Sequence, residues 1–176
     1  KVPIPSYIND ISPYIPGKPL EALEREYGIT DSVKLASNEN PLGPSPKALE
    51  AIQAACRNMH RYPDEPGFAL LHRLAARHNV DPGQIVIGNG SDEILGLLSL
   101  SLLQPGDEVI IPAPSFLMYT IVTQSAGAVP VNVPLKEMAI DLDAVRAKVG
   151  PRTRMIFICN PNNPTGAMIA RSDFEA

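Results

Sequence analysis

The chain has 176 residues, 44% of them hydrophobic and 19% charged, which is enough to bury a sizeable core and by length suits one domain rather than two. A net charge of -4 and a sequence pI near 5.3, with nine arginines and six lysines scattered along the chain, argue against a nucleic-acid partner. The longest apolar stretch, residues 94–103, is interrupted by Ser99 and Ser101. It falls well short of the ~20 residues that span a bilayer, so no membrane partner is expected. The first residues lack the basic-then-apolar pattern of a secretory signal, which makes the cytoplasm the default location.

Taken in chain order, residues 1–19 carry Pro3, Pro5, Pro13, Pro16 and Pro19. These disfavour regular helix or central strand and predict an extended arm. Residues 20–27 carry a short helix signal with Gly28 placed to end it, and residues 33–36 read as a strand. Ser45-Pro46 opens the next helix with a capping residue and a first-turn proline; Leu49, Ile52, Cys56 and Met59 mark its predicted buried stripe. Phe68, Leu71, Leu74 and Ala75 do the same for a helix over 67–78.

Strands and helices then alternate through short Gly/Pro turns. Strands are predicted at 84–88, 108–112, 129–133 and 154–159, with helices at 92–103, 115–126 and 141–149. This alternation implies parallel strands joined by right-handed crossovers, hence an α/β fold of three layers, α/β/α, around a mostly parallel sheet. Cys56 and Cys159 are too far apart to suggest a disulfide framework, and with His60, His72 and His78 they form no metal-ligand spacing. Cys56 reads as a core residue. Residues 172–175, Ser-Asp-Phe-Glu, have the spacing of a capping box that starts a helix at the very end of the chain. The expectation is that the natural sequence continues, and that a sheet lacking later strands is poorly soluble in isolation.

Two segments could carry chemistry. Gly88-Asn89-Gly90-Ser91-Asp92-Glu93 lies between an expected strand and a helix, where free amides of the first turn form an anion site. The bland reading has Ser91 capping the helix while Asp92 and Glu93 complement its dipole. A phosphate reading requires Ser91 and the backbone amides to make the contacts while both carboxylates turn away. Dinucleotide binding is rejected, because Glu93 stands where a third glycine is needed, and Asp107 and Glu108 precede or open a strand rather than end one. The second segment, residues 159–166 (Cys-Asn-Pro-Asn-Asn-Pro-Thr-Gly), follows an apolar strand and emerges at the same sheet edge, where ligands of open α/β sheets bind. Its bland reading is a rigid turn rich in proline and asparagine.

Together these segments resemble the pyridoxal-phosphate (PLP) aminotransferases of fold-type I. PNNPTG, GNGSDE, PAPSFLMY and NENPLGPSP occur in the family's order, and residues 11–14, 34–41 and 61–64 look particularly like its histidinol-phosphate branch. The resemblance runs from about residue 12 to 166. It implies that residues 1–41 form an arm and part of a small domain, and that 42–176 begin the large cofactor-binding domain. Ser91, Asp92 and Glu93 would cradle the cofactor phosphate, largely through main-chain amides. Phe116 would stack on the pyridine ring, and Asn163 would hydrogen-bond its phenolic oxygen.

Tyr62 would reach the cofactor phosphate of a neighbouring subunit, making a homodimer with a shared active site. Tyr14 and Asn38 would meet substrate, and a cis peptide is expected before Pro164. The implied reaction moves an amino group between glutamate and imidazole acetol phosphate, that is, between a small-molecule amino donor and a phosphorylated keto acceptor. An aromatic aminotransferase or a decarboxylase of a phosphorylated amino acid would keep every motif, and a non-catalytic binding fragment is the alternative from another class. The family's Schiff-base lysine, its pyridinium-pairing aspartate and its substrate arginines lie beyond this stretch. None of Lys1, Lys18, Lys34, Lys47, Lys136 and Lys148 stands in the lysine motif, so the chain alone is expected to be inactive.

Overall fold

A computed structural model of the chain describes residues 2–35, 37–63 and 67–175. The polypeptide divides into two compact units, Lys1–Tyr14 with Gly88–Ala176, and Ile15–Ile87, where length alone suggested one domain. The first unit contains a parallel three-stranded sheet of order β2-β1-β3, formed by β1 (Glu108–Ala113), β2 (Val129–Pro134) and β3 (Thr153–Ile156). The central strand β1 is apolar and β-branched, as a strand covered on both faces requires. Val109, Ile110, Ile111 and Pro112 are all buried.

Alternation along β1 sends its side chains to two cores. On one face Val109 and Ile111 pack with Leu103, Val122, Ala128 and Phe157, beneath α5 (Ser91–Leu102) and α6 (Met118–Ser125). On the other, Ile110 packs with Val133 and with Val145 of α7 (Leu142–Ala147), whose first turn is capped by the Asp141 carboxylate accepting the Ala144 N–H at 3.0 Å. The expected three-layer α/β/α arrangement is therefore present. Each fully buried Val or Ile contributes about 1.5–3 kcal/mol, so β1 is the sheet's main stabilising element.

The remaining elements are α1 (Ser6–Asn9), α2 (Leu20–Tyr27), α3 (Pro46–Ala55), α4 (Phe68–His78) and α8 (Arg171–Glu175), with single 3-10 turns at Cys56–Asn58 and Pro82–Gln84. Several expectations need correction. The proline-rich arm is not wholly extended, because the four residues between Pro5 and Asp10 are proline-free and close one helical turn, α1, which packs on α6. Residues 84–88 and 33–35 form no strand: a strand exists only where its amides find a ladder partner, and among the described residues none lies alongside.

The apolar stripe of α3 is exposed. Ile52 is 58% accessible, and Cys56 is exposed rather than core. An amphipathic pattern states which face seeks apolar cover, not that this stretch supplies it. In α4, by contrast, Leu71 and Ala75 are buried as expected, while Phe68 is exposed. At the end of the chain Ser172 lies inside α8 instead of capping it. Its hydroxyl meets Asp173 Oδ1 at 3.2 Å, and Glu175 pairs with Arg171 at 2.7 Å. Ala36 of the expected strand and Asp64 of the 61–64 block lie outside the described residues.

Candidate active site

Three loops of the first unit meet beyond the carboxyl ends of β1 and β3. After β1 the chain turns through Pro114, Ser115 and Phe116 into α6. After β3 the pairing continues one step, with the Phe157 N–H donating to Ile110 O at 3.0 Å, before the loop over 159–170 begins. Asn162, 3% exposed, ties the two loops together. Its Nδ2 donates to Pro114 O at 3.2 Å and to Thr165 Oγ1 at 3.0 Å, and its Oδ1 accepts the Ser115 hydroxyl at 2.9 Å. Asn160 closes the far side of the loop, accepting the Ile169 N–H at 2.9 Å. The Asn163–Pro164 bond is cis, as are Ala113–Pro114 and Asn160–Pro161.

The third loop precedes α5. Gly90 is the N-cap, with φ 83° and ψ 177°, a region open essentially to glycine alone. Ser91 is the first helical residue and makes no side-chain cap, so the capping reading does not hold. Instead Glu93 turns back, its carboxylate accepting the main-chain N–H of Asn89 and, at 3.2 Å, its Nδ2. The remaining first-turn amides of α5 are left without intrahelical partners by helix geometry.

Gly88 leaves room for this arrangement. A Cβ there would lie 2.8 Å from Glu93 Oε2 and 2.9 Å from Ile94 Cδ1. Gly88→Ala is therefore expected to dislodge Glu93 from Asn89 and to lower stability by about 1 kcal/mol, read as a reduced midpoint in chemical denaturation. An unchanged midpoint would mean that the Glu93 contact holds nothing in place.

Between the loops lies a cavity of about 540 Å³, bordered by Ser91, Ile94, Leu95, Phe116 and Asn163. Tyr119 and Cys159 complete its wall. The Tyr119 hydroxyl is pushed up from 10 to about 12, first by burial and then by the neighbouring Cys159 thiol. Folding thus favours its neutral form; that contribution is complete below about pH 10 and fades as pH rises through about 12. A larger depression of about 610 Å³, bordered by Lys136, Asp141, Arg146 and Asp173, contains none of the expected site residues. Asp107 and Glu108, at the amino end of β1, pair with Arg154 and Arg152, at the sheet edge opposite the cavity.

Of the residues singled out in the sequence, Ser91, Phe116 and Asn163 are brought together. Asp92 and Glu93 stand in the adjoining helical turn, exposed and outside the cavity lining. Tyr14 belongs to the same unit, is exposed and does not line the cavity. Asn38 and Tyr62 belong to the other unit and are exposed, Tyr62 completely. Asn162, Tyr119 and Cys159 escaped sequence reasoning. A second asparagine in a loop that already had one assigned was the available signal for Asn162. Tyr119 and Cys159 sit at positions that helical and strand periodicity assigns to packing.

A parallel sheet covered on both faces, with a cavity at its carboxyl edge walled by an aromatic ring, an amide and a helix N-terminus, is a ligand-binding arrangement of open α/β folds, and the solved neighbours place it among the fold-type I PLP-dependent transferases. The chain belongs to the class I and II aminotransferase family, whose model matches residues 30–176. It is 46% identical over 168 residues to histidinol-phosphate aminotransferase of Moorella thermoacetica, covering 96% of this chain and 44% of that protein. To the enzyme of the same name from Desulfotalea psychrophila it is 50% identical over 169 residues, covering 96% and 45%.

Among solved structures, histidinol-phosphate aminotransferase from Sinorhizobium meliloti in complex with pyridoxal-5'-phosphate superposes with a TM-score of 0.81 at 27% identity, over 93% of this chain and 44% of that one. N-Succinyldiaminopimelate aminotransferase from Mycobacterium tuberculosis gives 0.67 at 38% identity, over 77% and 38%. The chain thus spans under half the length of the relatives it matches.

Proposed function

We propose that this chain is the amino-terminal part of a PLP-dependent aminotransferase that interconverts histidinol phosphate and imidazole acetol phosphate with glutamate as the amino partner. The observation that carries the reading is the convergence of Ser91, Phe116 and Asn163, from three separate loops, on one cavity. The donor set suits the cofactor. Phe116 offers an aromatic face to an electron-poor ring. The Asn163 amide can donate to a phenolic oxygen, and the α5 N-terminus with the Ser91 hydroxyl can take a phosphate. Glu93 is already held by Asn89, which directs one carboxylate into the loop. Asp92 contributes its main-chain amide, with its exposed carboxylate in water.

PLP, when bound, supplies an electron sink for charge developing on the substrate's α-carbon. This chain's part is to hold the ring, orient it and keep its phenolic oxygen ionised. In this reading Tyr14 and Asn38 face the substrate, residues 1–41 form the arm and part of the small domain, and residues 42–176 open the large domain. Tyr62, fully exposed within its own chain, completes the phosphate site of a second subunit in a cytoplasmic homodimer. The lysine that holds the cofactor covalently lies outside these residues, so the chain alone is inactive. The exposed stripe of α3 and the extended segment before Gly88 fit surfaces covered by the rest of the enzyme.

The test is the full-length protein incubated with PLP. A visible absorption band, fixed by borohydride onto one lysine, together with amino transfer from histidinol phosphate in preference to aromatic amino acids, is expected. Preference for an aromatic amino acid would replace the substrate assignment. Absence of the band and of the adduct would leave a scaffold reused for binding.

A further inference from the structure

We propose that Tyr119 and Cys159, both in the cavity wall, are positioning residues, Tyr119 setting the plane of the Phe116 ring and Cys159 the bend of the loop that carries Asn163. This rests on the cofactor reading above. Phe157, buried in the core with Val109 and Ile111, stacks on the Tyr119 ring at 4.6 Å between centroids and 11° between planes. Tyr119 in turn meets the Phe116 ring at 5.7 Å and 90°, and its N–H donates to Phe116 O at 3.2 Å. Three rings therefore run without a break from the sheet to the cavity. Phe116 lies on a loop, and a loop side chain holds a fixed plane only if rigid groups pack behind it. Parallel and perpendicular ring contacts are the two arrangements that the aromatic quadrupole favours, so the series resists rotation at each joint.

Cys159 makes the second contact, its Sγ accepting the main-chain N–H of Asn163 at 3.4 Å. The Cys159 thiol also points at Pro161 O, 3.5 Å away, so the sulfur spans the bend of the loop. Sulfur is a weak acceptor, which suits it to setting an angle rather than to adding stability. Tyr119 and Cys159 thus act through Phe116 and Asn163 and are positioning residues.

The experiment uses the full-length holoenzyme with Tyr119→Phe, Tyr119→Leu, Cys159→Ser and Cys159→Ala, reading PLP dissociation by dialysis, visible circular dichroism, the pH midpoint of the cofactor band, and thermal unfolding. Tyr119→Leu, which removes the ring, is expected to raise the dissociation constant about tenfold and to weaken the visible dichroism. Tyr119→Phe keeps the rings and loses the hydroxyl, so affinity stays within about twofold. Its band midpoint stays at the parent value, whereas that of Cys159→Ala rises by about 0.5 pH unit, because a less well aimed Asn163 leaves the phenolic oxygen more basic. Cys159→Ser, which restores an acceptor, returns the midpoint toward the parent value.

Dichroism unchanged in Tyr119→Leu together with a midpoint unchanged in Cys159→Ala would overturn the proposal, as would changes in all four variants that merely follow thermal stability. If the parent protein itself binds no PLP, the cofactor reading fails instead, and that control separates the two results.

Discussion

Asn162→Ala is expected to lower the stability of the full-length protein by about 2–4 kcal/mol and to abolish PLP retention, the largest effect of any single change at this site. The reason is the number of groups left without partners. Asn162 is buried, and its amide serves Pro114 O, Thr165 Oγ1 and the Ser115 hydroxyl at once. Removing it leaves a carbonyl and two hydroxyls at a half-buried junction without their partner, and it severs a side-chain tie between the loop after β1 and the loop after β3. Since Phe116 lies on the first and Asn163 on the second, their spacing depends on this residue.

Asn162→Asp is the informative control. It keeps the oxygen that receives Ser115 but sets a second oxygen against the Pro114 carbonyl, so it is expected to be no better than alanine. Urea denaturation and equilibrium dialysis of both variants read the outcome. Stability within about 0.5 kcal/mol of the parent, with affinity within about twofold, would show that the loops are held together some other way.

Phe116→Ala should act on binding and spare the fold. The ring is half-buried and outside the two cores, so its loss removes the cavity's aromatic wall without opening the sheet. Burial of one face of a pyridine ring against phenyl corresponds to about 1.4–2.8 kcal/mol, or an expected 10- to 100-fold rise in the PLP dissociation constant. Phe116→Tyr keeps the face and should retain the parent affinity. Equal affinities for the parent and Phe116→Ala would place the cofactor ring elsewhere.

How far the sequence could be read follows from what kind of information each feature carries. β1, β2, β3 and the helices between them are each declared by their own short-range period and turn residues; β1 and β2 fell within one residue of their expected bounds, while β3 ends at Ile156 rather than 159 and α6 starts at Met118 rather than 115. The failures share a different cause. The stripe of α3 and the apolar run at 84–88 are statements about a missing partner surface, and no local pattern reveals whether the same stretch of chain supplies it. Cys56 was placed in a core for that reason and is exposed.

At the site, Phe116 and Asn163 were singled out through the resemblance of their blocks to an aminotransferase family, and Gly88 and Gly90 as residues that permit a tight turn before a helix. The residues that aim them were not. Asn162 resembles any turn asparagine until its three partners are known. Tyr119 and Cys159 look like ordinary core residues, and their importance lies in ring angles and a sulfur contact that only the folded chain defines. The turn of the Glu93 carboxylate onto its own loop, which the phosphate reading requires, is likewise a matter of rotamer rather than of residue type.

The most direct test of the account is the location of PLP in a crystal of the full-length protein grown with the cofactor. The expected result is a pyridine ring stacked on Phe116, with its phenolic oxygen on the Asn163 amide and its phosphate at the first turn of α5 beside Ser91. Density for the cofactor outside this cavity, or a cavity that stays empty at saturating PLP, would contradict the assignment of the site.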